Sequence, residues 1–235
     1  MNATHLLTGL PVALNRFHIG PAVMGLEFVL LTAPTLKRTN HERNFIMRSF
    51  LITLAVIATL ATTVVGGTIE GKVSPGNSVV YVDTIPGKAF PAPTQNPLMN
   101  QKGLMFNPRV LVVQVGTTVE FQNDDSVQHN VFWPSISGNK KLSHNLGTWP
   151  KGEKRPYKFD QAGVVPLLCN VHPEMSGYII VSPTPYFALT DASGNYKIDN
   201  VPDGKYNIVA WHEGTRQTKS VDVAGTGKAD FALSK

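Results

Sequence analysis

The stretch Cys169-Asn170-Val171-His172-Pro173-Glu174-Met175 places a thiolate, an imidazole and a thioether within seven residues. Cys169 is the only cysteine of the chain, so it cannot form an internal disulfide. In an exported protein such a leftover thiol is either reactive or a metal ligand. A second imidazole, His129, lies forty residues upstream in Gln128-His129-Asn130-Val131-Phe132. Two His, one Cys and a weakly held axial Met form the ligand set of a mononuclear blue-copper site, in which soft sulfur suits the reduced ion and imidazole suits both states. Taken singly, Cys169 reads as a small buried hydrophobe, His172 as a loop residue and Met175 as core filler. Their joint spacing favours the metal. Zinc could use the two His and the Cys with one position open, but Met is a poor zinc ligand and no Glu is placed as a general base. A binuclear copper centre bridged by thiolates needs two Cys and is excluded.

The elements that must position these residues read as strands. Thr68–Val73 and Val79–Val82 are short apolar-rich runs separated by the turn Ser74-Pro75-Gly76-Asn77. Val110–Val115 leads through Gly116 into Thr118–Phe121, which reads as a hairpin. Arg155–Phe159 alternates, Val164–Leu168 is an apolar strand ending on Cys169, and Gly177–Val181 follows Met175. Phe90–Gly103, rich in Pro, Asn and Gln, reads as a linker or an irregular first strand. After the break Pro183-Thr184-Pro185, further short strands are expected at Tyr206–Trp211, Val221–Val223 and Ala229–Leu233. No window of 12 or more residues beyond residue 66 carries a helical period. Many short strands with Gly/Pro turns imply an all-β sandwich or barrel.

The formal charge of +5 is unevenly spread. Residues 1–66 carry Arg16, Lys37, Arg38, Arg43 and Arg48 against Glu27 and Glu42, a net of +3, which leaves +2 for residues 67–235. The basic balance thus belongs mostly to the N-terminal segment, and no nucleic-acid partner is expected. Met47-Arg48-Ser49 precedes the apolar run Phe50–Ala61, the layout of a signal peptide. Cleavage after Ala61 and after Gly66 both fit. The run is short of the about 20 residues of a membrane span. Extended to Val65, it also fits an uncleaved anchor helix, the one circumstance in which a membrane is a partner. Residues 1–46 read as a non-native upstream extension, with translation starting at Met47.

Residues 97–182 resemble a cupredoxin, most nearly the amicyanin and plastocyanin group. The resemblance is carried by Phe106-Asn107-Pro108, Val115-Gly116-Thr117-Thr118-Val119, His129-Asn130-Val131, Gly163 six residues before Cys169, and the short Cys-x-x-His-x-x-Met loop of the amicyanin form. It implies a Greek-key β-sandwich with His129, Cys169, His172 and Met175 as ligands of one type 1 copper. It also implies that Asn130 hydrogen-bonds the Cys-bearing loop as an orienting partner. His144 reads as an exposed loop residue outside this set, and Glu174 as a solvent-facing residue.

Residues 187–211 resemble a carboxypeptidase regulatory-like, transthyretin-like β-sandwich. The signature is Thr190-Asp191-Ala192-Ser193-Gly194-Asn195-Tyr196 followed by Pro202-Asp203-Gly204-Lys205-Tyr206. Such domains begin with strands like Gly67–Val73 and Val79–Asp83, which here precede the cupredoxin. The expected organisation is therefore an upstream extension at 1–46, a signal peptide at 47–66 and the first strands of the small sandwich at 67–89. The cupredoxin follows at 90–182, inserted into that sandwich, and the remainder of the sandwich runs over 183–235. Insertion works where two chain ends lie close at a surface loop. The alternative is two consecutive domains, with residues 67–85 as early cupredoxin strands. His212, in Trp211-His212-Glu213, reads as a strand-end residue.

These expectations converge on a periplasmic or otherwise exported, non-enzymatic carrier of single electrons between a redox donor and a redox acceptor. A copper storage or delivery protein would use the same ligands. A copper oxidase or reductase needs a second copper, for which only His144 and His212 remain beyond residue 66. A binding sandwich with incidental copper is the remaining alternative. N-terminal sequencing and intact mass of the native protein are expected to find no peptide from residues 1–46; such a peptide would refute a start at Met47.

Overall fold

The computed structural model describes residues 66–234. The upstream extension and the signal or anchor segment lie outside these residues. The described residues form strands, with one turn of 3-10 helix and no α-helix. In chain order they are β1 (Gly67–Ser74), β2 (Val79–Val82), β3 (Leu98–Gln101), β4 (Phe106–Asn107), β5 (Val110–Gln114) and β6 (Thr118–Asn123). Next come β7 (His129–Trp133), β8 (His144–Trp149), β9 (Lys154–Lys158), β10 (Gly163–Leu168) and β11 (Ser176–Ser182). The chain closes with β12 (Phe187–Leu189), β13 (Asn195–Val201), β14 (Gly204–His212), β15 (Thr215–Val223), β16 (Thr226–Lys228) and β17 (Phe231–Ala232).

Four sheets result. Two come from the middle of the chain, with strand orders β5-β11-β10-β7-β8 and β4-β3-β6-β9. The other two, β12-β2-β14-β15 and β13-β1-β16 with β17 also on β1, combine the first two strands with the last six. The chain leaves the second pair after β2 and rejoins it at β12. At that junction the Thr184 hydroxyl donates to the Val82 carbonyl at 2.8 Å and the Val82 N–H donates to the Tyr186 carbonyl at 2.9 Å.

Strand periodicity explains how the sheets stack. Side chains alternate between faces along a strand. In β2 every residue is buried. Val80 and Val82 point into a core shared with Ile69, Ile198, Ile208 and Phe231. Val79 and Tyr81 point the opposite way, into a cluster with Ile180, Val209 and Trp211. In β11, Ile179 and Val181 face the core of the middle sandwich while Tyr178 and Ile180 face Trp211 and Val209. Tyr178 meets Trp211 edge-on, ring centroids 4.9 Å apart. Three apolar cores therefore bind four sheets in series, and β2 and β11 are apolar on both faces because each is covered on both.

Several sequence expectations need correction. Val110–Phe121 is not a hairpin: β5 pairs in parallel with β11, whereas β6 pairs with β3 and β9 in the other sheet. Gly116, at φ +88°, turns the chain across the sandwich rather than back along the same sheet. Its N–H is taken by the Phe159 carbonyl, and Ala92 leaves no room for a side chain. Within Phe90–Gly103, read as a linker or an irregular first strand, the strand reading holds for Leu98–Gln101, which is β3 beside β6. His144 opens β8 instead of lying in a loop, although it is exposed as expected. Strands β8 and β16 and most of β15 went unread, because their exposed polar residues carry little apolar signal.

Truncating Trp211, a nearly fully buried residue of the middle core, is expected to cost about 3–5 kcal/mol in Trp211→Ala. A chemical-denaturation curve checks this; a loss below about 1 kcal/mol would mean that the two sandwiches scarcely support each other.

Candidate metal centre

The register of β10 against β11 builds the site. The two strands pair antiparallel as far as Leu168 opposite Ser176. One residue further, Cys169 and Met175 emerge from facing strand ends, both buried in the same core. Residues 170–174 close the loop between them, and Met175 N–H donates to the His172 carbonyl at 3.0 Å. Strand β7 pairs with β10 at Phe132 opposite Leu168. That antiparallel register carries His129 and Asn130 alongside the outgoing Cys169.

The donor atoms converge. His129 Nδ1 lies 3.0 Å from His172 Nδ1 and 4.0 Å from Cys169 Sγ. The ligand atoms of His129, Cys169 and His172 all fall within 4.8 Å of one another, and they are the one such group among the described residues. Separations of this size suit imidazole and thiolate ligands each about 2.0–2.3 Å from a single ion. His129 is fully buried, Cys169 and Met175 nearly so, and His172 is half-buried. The Asn130 N–H donates to the sulfur at 3.4 Å.

His129 is held in one tautomer. Its Nε2 lies 2.7 Å from Asp125 Oδ2. Burial opposes ionisation of Asp125, but the backbone N–H groups of Leu104 and Gly103 and the His129 side chain outweigh it and hold the carboxyl down to about 2. An ionised carboxylate only accepts, so Nε2 carries a proton, and in the neutral ring Nδ1 offers its lone pair to the cluster of His172 Nδ1 and Cys169 Sγ. Asp125 is fixed by Gly103 N–H at 2.7 Å, by Leu104 N–H at 3.0 Å and, through its own N–H, by Asn123 Oδ1 at 2.9 Å. Buried Asn123 also donates to the carbonyls of Val127 and Trp149, stapling the 124–128 loop. Sequence reading missed Asp125 and Asn123. An Asp four residues before a His is a weak signal in a loop, where no regular period faces the two toward each other.

Asn130 sits beside His129 on β7. Its Oδ1 accepts from Asn170 N–H at 3.3 Å, on the Cys-bearing loop, while its Nδ2 donates to Asn145 Oδ1 and the Gly147 carbonyl at 2.8 Å each. His144 stays apart from the cluster, its ring against Trp133 and Tyr157. His212 Nδ1 lies 3.3 Å from Ser78 Oγ. Glu174 is exposed.

Residues 94–182 match the family model for copper binding proteins of the plastocyanin/azurin family. No curated protein matches the chain. Among solved structures, an oxidised proline-to-alanine mutant of amicyanin is 24% identical, over 37% of this chain and 82% of that one, with a TM-score of 0.34. A purple cupredoxin from Nitrosopumilus maritimus is 27% identical over 37% of this chain and 100% of that one, TM-score 0.33. A copper-containing nitrite reductase from Thermus scotoductus SA-01 is 27% identical over 43% of this chain and 25% of that one, TM-score 0.35.

Asn130→Ala removes the bond from Asn170 N–H on the Cys169 loop to Asn130 Oδ1, together with both bonds of Asn130 Nδ2 to β8. We expect Cu(II) affinity to fall about 10–100-fold, as when a ligand loses its orienting partner, with the β circular-dichroism spectrum unchanged. Chelator competition measures it; an unchanged affinity would show that the loop needs no such brace. Residues 94–182 are thus similar to the copper binding proteins of the plastocyanin/azurin family, and the arrangement of His129, Cys169, His172 and Met175 fits one type 1 copper.

Proposed function

We propose that the chain is an exported blue-copper electron carrier that cycles one electron between a redox donor and a redox acceptor. His129 Nδ1, Cys169 Sγ, His172 Nδ1 and Met175 would be the copper ligands, with Asn130 bracing the loop that bears three of them. The observation that carries the reading is the convergence of His129, Cys169 and His172 donor atoms beside a buried Met175. Copper supplies a one-electron couple between its cupric and cuprous states, and mixed N and S ligands accommodate both. A ligand set fixed by strand ends and side-chain bonds needs little rearrangement when the charge changes.

The route in and out is the half-buried edge of His172. Val171 and Pro173 flank it and are exposed, and exposed Leu104 and Met105 lie on the turn that holds Asp125. A small apolar surface suits brief encounters that bury less than about 1,200 Å². In this reading the chain is not an enzyme, since His144 and His212 lie apart from the cluster and from each other's partners. The strands from β1, β2 and β12–β17 would be a carboxypeptidase regulatory-like sandwich acting as a docking or spacing module. The copper domain would be inserted between β2 and β12, where one hydrogen bond joins the outgoing Val82 to the returning Thr184.

The test is a visible and electron-spin spectrum of residues 67–235 with added Cu(II), beside Cys169→Ser, followed by repeated reduction and reoxidation. An intense thiolate-to-copper band that Cys169→Ser abolishes, with copper retained through the cycles, is expected. A pale spectrum indifferent to the mutation would refute the site. Copper released on reduction would instead make the protein a store or a donor of the metal.

A further inference from the structure

The carboxylate behind His129 is placed to affect more than the orientation of the ring. We propose that Asp125 sets the reduction potential of the copper centre, holding it below the value that the same ligands would give with a neutral partner behind His129; this rests on the copper reading above. The geometry has two parts. Asp125 Oδ2 accepts from the Nε2–H of a fully buried imidazole at 2.7 Å, and the carboxylate has little exposure of its own. It cannot drift, because Gly103 N–H and Leu104 N–H bind its two oxygens from the turn between β3 and β4, and Asn123 Oδ1 binds its N–H.

A fixed negative charge one imidazole away from the metal stabilises a doubly charged ion more than a singly charged one. The effect is stronger here than in water because the intervening ring is buried. A carboxylate on the far nitrogen also raises the basicity of the ligating nitrogen, again to the benefit of the cupric state. The neighbouring Asp124 carries the same charge but directs its carboxylate to Asn100 Nδ2 and Gln122 Nε2. It thus supplies a control for charge without the hydrogen bond to the ligand. Among the described residues no carboxylate bonds to His172, whose Nδ1 faces His129, so the charge acts through one histidine alone.

The experiment compares copper-loaded residues 67–235 as wild type, Asp125→Asn and Asp124→Asn, reading the midpoint reduction potential together with the visible spectrum. Asp125→Asn keeps an oxygen for Nε2–H and removes the charge. Its potential is expected to rise, and its Cu(II) affinity to fall about 10–100-fold while Cu(I) affinity changes less. Asp124→Asn should leave the potential at the wild-type value. Should Asp125→Asn lose its turn and its copper, Asp125→Glu and Asp125→Gln form a matched pair of equal length, and the Gln form should have the higher potential. Equal potentials in wild type and Asp125→Asn with the blue band intact, an equal shift in Asp124→Asn, or equal potentials in the Glu and Gln forms would each overturn the assignment. Absence of the thiolate-to-copper band from the wild type is a different failure, which removes the copper reading itself.

Discussion

Strand β11 is apolar on both faces, and the rest of the structure depends on covering both. Ile179 and Val181 fill the core of the middle sandwich, while Tyr178 and Ile180 need a second apolar layer on the other side. Sheet β12-β2-β14-β15 supplies it with Val79, Tyr81, Val209 and Trp211, and is in turn covered by β13-β1-β16. Leaving such a face in water would forfeit about 25 cal/mol for each Å² of apolar surface. The same strand starts one residue after Met175. The packing that joins the two sandwiches therefore also fixes the strand from which one end of the metal loop springs.

The two histidines of the cluster live in different surroundings. His129 is wholly buried, sits on a strand, and has its far nitrogen bound to a carboxylate that is itself tied to backbone N–H groups. His172 stands on a five-residue loop, half in solvent, with exposed Val171 and Pro173 beside it. A ligand with no freedom suits the task of holding geometry and potential. A ligand whose edge meets solvent suits the task of meeting a partner. Cys169 joins the two, its sulfur receiving the Asn130 N–H from the buried side.

The sequence disclosed most where chemistry and period coincide. Cys169, His172 and Met175 are legible because rare residue types recur at a tight spacing, and β10 and β11 because their apolar runs end on those residues. The braces were legible in part. Asn130 stands beside His129 in a familiar run, but Asp125 and Asn123 act through a loop whose course depends on Trp149, Val127 and the distant Gly103–Leu104 turn. The crossing at Gly116 was misread because a glycine between two apolar runs serves a hairpin and a sheet-to-sheet corner alike. Only the partners of β5 and β6, supplied by β11 and β9, distinguish them. Likewise β15 hides its length, since most of its residues are exposed and polar.

The connection between the two sandwiches has a further physical consequence. A body that leaves and rejoins its host at neighbouring points adds little loop-closure entropy, because the ends it must hold together are already held by the host's own bonds. On the insertion reading those points are Val82 and Thr184, joined directly. A two-strand tether alone would let the copper domain swing. The Tyr178–Trp211 contact and the Arg109–Glu213 ion pair at 3.0 Å act against that freedom. Of the two, the aromatic contact dominates, since Arg109 is well exposed and a surface ion pair contributes about 1 kcal/mol at most. On the electron-carrier reading proposed above, this matters at the point of contact. A partner docked on the second sandwich would then meet the metal edge at a fixed distance, and the proposed electron transfer would be governed by where the partner binds and not by how the two sandwiches move.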